Sequence, residues 1–178
     1  MLNILKNTAF LLTTLVFIPY CFSATIPDMK VCCTTSTPKV SFPFPGQPEV
    51  FSNPEFPEAY TYKDTTNYNS YQFYYKKIDK SLNESQYLGM VRDQRIKSVN
   101  ATLISKKIYK SGNKTISDYS YFYYNLGIKK ISHVKSVSTD NIYYSWAVQS
   151  YEGSSKYSAD YIFDNYSKYV DNDGGFCK

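Results

Sequence analysis

The chain has 178 residues and a formal net charge of +5, and aromatic residues make up 18% of it, with 20 tyrosines and 11 phenylalanines. One histidine and no spaced cysteine pair leave too few ligands for a structural zinc site. The modest positive charge is interspersed with acids, which argues against a nucleic-acid-binding surface.

In chain order, the first expected element is a signal peptide over 1–23. Lys6 is the only charge before Asp28, residues 9–18 form an apolar run, and Pro19 ends it. Cleavage after Ser23 puts Cys21 and Ser23 at the −3 and −1 positions; cleavage after Ala24 puts the bulkier Phe22 at −3. The run is about half the length of a bilayer span, so no stable membrane insertion is expected. The mature product is read as secreted and extracellular. Four Asn-x-Ser/Thr sequons agree with that compartment and name Asn83, Asn100, Asn113 and Asn165 as N-glycosylation acceptors.

Residues 24–57 read as a Pro-rich extended segment. All eight prolines lie at or before Pro57, and 19 of the 20 tyrosines follow it. Such a segment is not expected to supply a central strand or helix. Residues 58–178 then carry the pattern of one tyrosine-rich antiparallel β domain, a sandwich or half-open barrel. Tyr71 to Ile78 is expected as a strand. Arg95 to Ile108 reads as another, with Val99, Ala101 and Leu103 inward and Asn100 outward. A turn at Ser111-Gly-Asn-Lys114 leads into Tyr119–Tyr124, which is aromatic on both faces.

Ile128, Ile131, Val134 and Val137 recur every third residue, and their β-branching favours a strand. The clearest alternation is Ile142 to Gln149, with Ile142, Tyr144, Trp146 and Val148 on one face. Tyr157 to Phe163 repeats the alternation and is expected to complete a hairpin with it. Loss of the leader leaves Cys32, Cys33 and Cys177. The long-range bridge joins Cys177 to Cys32 or Cys33, and the thiol left over could be buried or link a second chain.

Catalytic signals are thin. His133 has no partner motif in sequence, and phosphate-loop, His-Glu-x-x-His and Gly-x-Ser-x-Gly patterns are absent. No cofactor is implied. Asp171-Asn-Asp-Gly-Gly175 has the start of a calcium loop without its distal glutamate and reads better as a turn. The tyrosines are the candidate recognition surface, with Tyr119, Tyr121, Tyr123 and Tyr124 foremost. These readings favour a non-catalytic extracellular binding module, for an apolar ligand or a protein or glycan surface. The alternative is a secreted hydrolase built on carboxylates, which need not be adjacent in sequence.

Two segments in order, Gly89-Met-Val-Arg-Asp-Gln-Arg-Ile96 and Tyr119-Ser-Tyr-Phe-Tyr-Tyr-Asn-Leu-Gly-Ile128, follow a Cys- and Pro-containing leader. This arrangement resembles the ependymin-related secreted glycoproteins, with Arg92 where that family has tyrosine before the aspartate. The resemblance implies a half-open β-barrel around an apolar pocket for a lipid-like ligand, with calcium association.

Overall fold

The computed structural model describes residues 21–26, 29–79, 83–153, 157–172 and 176–177. The expected apolar leader run lies outside them. The chain is mainly β, arranged as two antiparallel sheets, neither closed into a barrel. The smaller sheet has the order β1-β2-β3, from Cys21–Ile26, Met29–Cys33 and Ser41–Phe44. The expected cleavage point after Ser23 therefore falls inside β1.

The larger sheet begins with β4 (Glu49–Val50), β5 (Glu58–Asp64) and β6 (Asn69–Lys77), a meander. Helix α1 (Glu84–Ser98) follows, and then a second meander runs through β7 (Thr102–Ser111), β8 (Lys114–Asn125), β9 (Ile128–Thr139) and β10 (Ile142–Tyr151). β10 returns beside β6, which gives the order β4-β5-β6-β10-β9-β8-β7. The meander turns have the backbone that two-residue hairpins need. Gly112 opens the β7–β8 turn at φ +61°, and Leu126-Gly127 and Asp140-Asn141 both adopt positive φ. Helix α2 (Ala159–Tyr166) and a 3-10 turn over Ser167–Tyr169 complete the described chain.

The two faces of the large sheet have different covers. On one face, Phe73 of β6, Tyr144, Trp146 and Val148 of β10 and Val137 of β9 pack against Phe42 and Phe44 of the small sheet and Ile162 and Phe163 of α2. Phe42 stacks on Phe73 at 4.1 Å and on Tyr60 at 5.2 Å. The Trp146 indole nitrogen donates to the Pro43 carbonyl at 3.0 Å, so even the polar edge of the largest buried ring is satisfied. On the other face lies α1.

Four expectations need correction. Residues 24–57 do supply a central strand: β2 is the middle strand of the small sheet, and Phe42 and Phe44 are fully buried. The prolines obey the strand rule all the same, because Pro43 sits on the edge strand β3. Buried Glu58 binds this segment, accepting from the backbone amides of Thr35 (2.8 Å) and Ser36 (2.7 Å) and from the Tyr60 hydroxyl.

Second, 157–163 is no hairpin strand. Ser158 caps α2 by accepting from the Tyr161 amide at 3.2 Å, and the buried residues are Ala159, Ile162 and Phe163, a helical i, i+3, i+4 set. Third, the expected strand from Arg95 is helical through Ser98. Asn100 takes a left-handed φ of +50° just beyond the helix, a common way to end one. Val99, Ala101 and Leu103 still pack inward.

Fourth, no described cysteine is free. Cys33 forms the disulfide to Cys177. Cys32 is fully buried and disulfide-bonded as well, and its register partner across β1 is Cys21. With residues 21–26 in place Cys32 therefore offers no leftover thiol; cleavage after Ser23 would remove Cys21.

Candidate functional site

Helix α1 is set by its ends. Asn83 accepts from the Gln86 amide at 3.1 Å, and Glu84 lies in the first turn while Arg95 and Lys97 lie in the last, matching the helix dipole. Its sheet-facing stripe is Tyr87, Leu88, Val91 and Arg95, at helical spacing. Tyr87 and Leu88 are buried, and with Tyr143 they form a small cluster flanked by Phe56 and Val91.

The strands beneath present unusually small residues to the helix. Ser117, Ser136 and Ser145 stand in one cross-strand row, and Val134 with Ala147 in the next. Large phenols rise beside them: Tyr119, Tyr121 and Tyr123 from β8, Tyr74 from β6 and Tyr143 from β10. Small floor and tall walls leave an open cleft of about 480 Å³ between α1 and the sheet. Asn53, Glu55 and Phe56, from the segment before β5, form a third side. The volume lies within the usual range for small-molecule sites.

Polar groups inside the cleft are few and held in place. Gln72 accepts from the Tyr74 hydroxyl at 3.2 Å and from Arg95 Nη2 at 2.8 Å. Gln149 Nε2 donates to the Tyr123 hydroxyl and to Ser132 Oγ, both at 2.9 Å. The Arg95 guanidinium also lies over the Tyr74 ring at 5.5 Å. Burial pushes the phenols of Tyr74, Tyr119 and Tyr143 up, so they stay neutral at physiological pH; the nearby guanidinium offsets part of that push. Among the described lining residues the sole carboxylate is Glu55, exposed at the rim. The cleft thus combines one cation, neutral hydroxyls and aromatic area, which is chemistry for holding a ligand.

The four recognition tyrosines separate. Tyr121 and Tyr123 line the cleft, stacked on each other at 6.3 Å. Tyr119 lies buried beside them, stacked on Tyr121 at 6.1 Å. Tyr124 points to the opposite side of β8, exposed and edge-on to Phe122. Arg95 is not legible as a site residue while Arg95 to Ile108 is expected as a strand, and Gln72 and Gln149, on strands as expected, carry no local motif. One signal was present: Asn83 with Gln86 three residues on is a capping-box pattern.

All four sequon asparagines are exposed: Asn83 at the start of α1, Asn100 just past its end, Asn113 in the β7–β8 turn and Asn165 on α2. His133 lies outside the cleft, its Nδ1 3.0 Å from Asp160 and its ring stacked on Phe163 at 3.7 Å. Asp171 bonds Lys114 and bridges to Ser41 through the backbone, while residues 173–175 of the aspartate-rich turn lie outside the described residues. Among the described residues no group of acidic, histidine or cysteine side chains is arranged to hold a metal, and no helix is long and apolar enough to cross a membrane.

The segment Gly89–Ile96, half of the ependymin-like resemblance, lies on helix α1 and not on one of the barrel strands that the resemblance implies. No protein-family model and no curated protein matches the chain, so the quoted segments alone carry that resemblance.

Proposed function

We propose that this chain is a secreted, N-glycosylated binding protein, and that it holds a small ligand in the cleft between α1 and the large sheet. The observation that carries the reading is the cleft itself, about 480 Å³ walled by Tyr74, Tyr121, Tyr123 and Tyr143 beneath a single helix. Phenol walls give contact area with little side-chain entropy to lose, and convergent polar groups fix orientation. A second recess of about 250 Å³, near Asn69, Tyr71 and Tyr157, is smaller.

The compartment is supported by the apolar leader run, by exposure of the four sequon asparagines and by the Cys33–Cys177 disulfide. Such a lined cavity also agrees with the pocket that the ependymin-like resemblance implies. Binding is favoured over carboxylate hydrolysis because the cleft is lined by one described carboxylate, whereas that chemistry uses two in concert.

Native mass spectrometry of protein purified from its own host is the direct test. A recurrent small molecule bound in unit stoichiometry, lost on Tyr121→Ala substitution, is the expected result. Repeated recovery of empty protein with an open cleft would sink the reading. Glycan mass at Asn83, Asn100, Asn113 or Asn165 in the same spectra tests the route of secretion.

A further inference from the structure

We infer that the cleft selects a ligand carrying a carboxylate on a flat apolar body, and that Arg95 is the residue that reads the carboxylate. This rests on the binding reading above and adds the ligand's chemical class.

The stripe of α1 that meets the sheet is apolar at Tyr87, Leu88 and Val91, and the next position on it is Arg95. A cation drawn under a helix loses hydration, which costs stability unless charge or hydrogen bonds replace the water. Arg95 receives no charged replacement. Its partners are neutral, Gln72 Oε1 at 2.8 Å and the phenols of Tyr74 and Tyr119, and no described carboxylate lies within ion-pair distance of it. Arg92, Lys114 and Lys129, by contrast, each hold a carboxylate: Asp93, Asp171 and Glu152.

A second observation points the same way. Arg95 itself lines the open cleft, with its guanidinium over the Tyr74 ring at 5.5 Å. A guanidinium fork on the cleft wall, with no described carboxylate paired to it, matches the two oxygens of a ligand carboxylate, which accept in one plane. The stacked pair of Tyr121 and Tyr123 and the Tyr143 ring supply flat surface for the rest of the molecule. A doubly charged phosphate would meet a single cation here, with Glu55 at the rim opposing it. The exposed Glu55 weakens any anion's approach only by a screened charge.

The test is calorimetric titration of the full chain with naphthoate and octanoate, each against its matched alcohol (naphthylmethanol, octanol), and with inorganic phosphate. Naphthoate is expected to bind tighter than naphthylmethanol by on the order of tenfold to a hundredfold, the range for a charge-assisted hydrogen bond. Arg95→Gln is expected to erase that preference while leaving binding of the alcohol in place. Glu55→Gln is expected to raise naphthoate affinity about twofold, as removal of a screened like charge should, and to leave the alcohol unchanged. If Arg95→Gln unfolds by circular dichroism, Arg95→Lys carries the comparison, since it keeps the charge and loses the planar fork; part of the preference should go.

Equal binding of acid and alcohol by the native chain overturns the carboxylate inference and leaves the binding function standing. So does phosphate bound as tightly as naphthoate, or a preference that survives Arg95→Gln. Failure of all these probes to bind overturns both.

Discussion

β10 takes part in two unlike packing problems at once. Its residues Ile142, Tyr144, Trp146 and Val148 enter a core closed by the small sheet and α2, whereas Tyr143, Ser145, Ala147 and Gln149 face α1. The closed face is built of large rings that interdigitate, and its one indole donor is satisfied. The α1 face places serines and alanine beneath phenols, under a single helix that carries an arginine toward the sheet. Both faces are tyrosine-bearing, so composition does not distinguish them. What differs is the size of the neighbours around each ring, and that decides whether aromatic groups fill space or enclose it.

The contrast breaks most visibly at Trp146. Trp146→Ala removes the largest fully buried side chain from the closed face and should cost about 3–5 kcal/mol of stability in chemical denaturation. Next comes the bridge at the chain's end. Cys33→Ser releases Cys177 and should cost about 2–5 kcal/mol by the same measurement, with ligand affinity at the cleft unchanged in whatever fraction stays folded. A loss of ligand affinity equal to the loss of stability would show that the two faces are not separable.

Alkaline titration sharpens the comparison further. Burial, with the charge of Glu55 adding to it, raises the Tyr87 phenol from its ordinary 10.0 to about 12. The unfolded chain gives up that proton first, so the stabilisation is present below pH 10 and disappears as pH rises through about 12. Tyr60 and Tyr71, on the closed face, are pushed up by burial above that window. Hydrogen exchange across this range should therefore show α1 losing protection before β5 and β6; simultaneous loss would contradict the division. The smallest effect is expected at Gln149, whose amide holds Tyr123 and Ser132. Gln149→Ala should change stability by within about 1 kcal/mol and be felt mainly as weaker ligand binding.

Much of the large sheet was legible. The alternation of Ile142–Val148 announced β10, Ser111-Gly-Asn-Lys114 announced the β7–β8 turn, and β-branching at Ile128, Ile131, Val134 and Val137 pointed to β9 despite the three-residue spacing. That spacing is explained by the two cores, since Val134 serves the α1 face and Val137 the closed face. The helices were not legible for a shared reason. α1 places Arg95 on its inward stripe and has almost no apolar periodicity; Tyr157, Ala159, Tyr161 and Phe163 mimic a strand although Ile162 supplies the buried contact. In both cases tertiary packing overrode the local pattern. Half of the candidate site was visible as Tyr121 and Tyr123, and the other half was hidden with the helix that aims it.

From sequence alone came the chain's mainly β character, the sequons, the long-range bridge to one of two adjacent cysteines and the richness in tyrosine. These follow from local chemistry: backbone preference, side-chain alternation and the identity of single residues. The tertiary structure decided that the Pro-rich stretch seals one face, that Cys33 takes Cys177, and that an arginine and several phenols meet across a gap. Those outcomes depend on which distant residues share a row or a face, and that relation comes into being only when two sheets and two helices pack together.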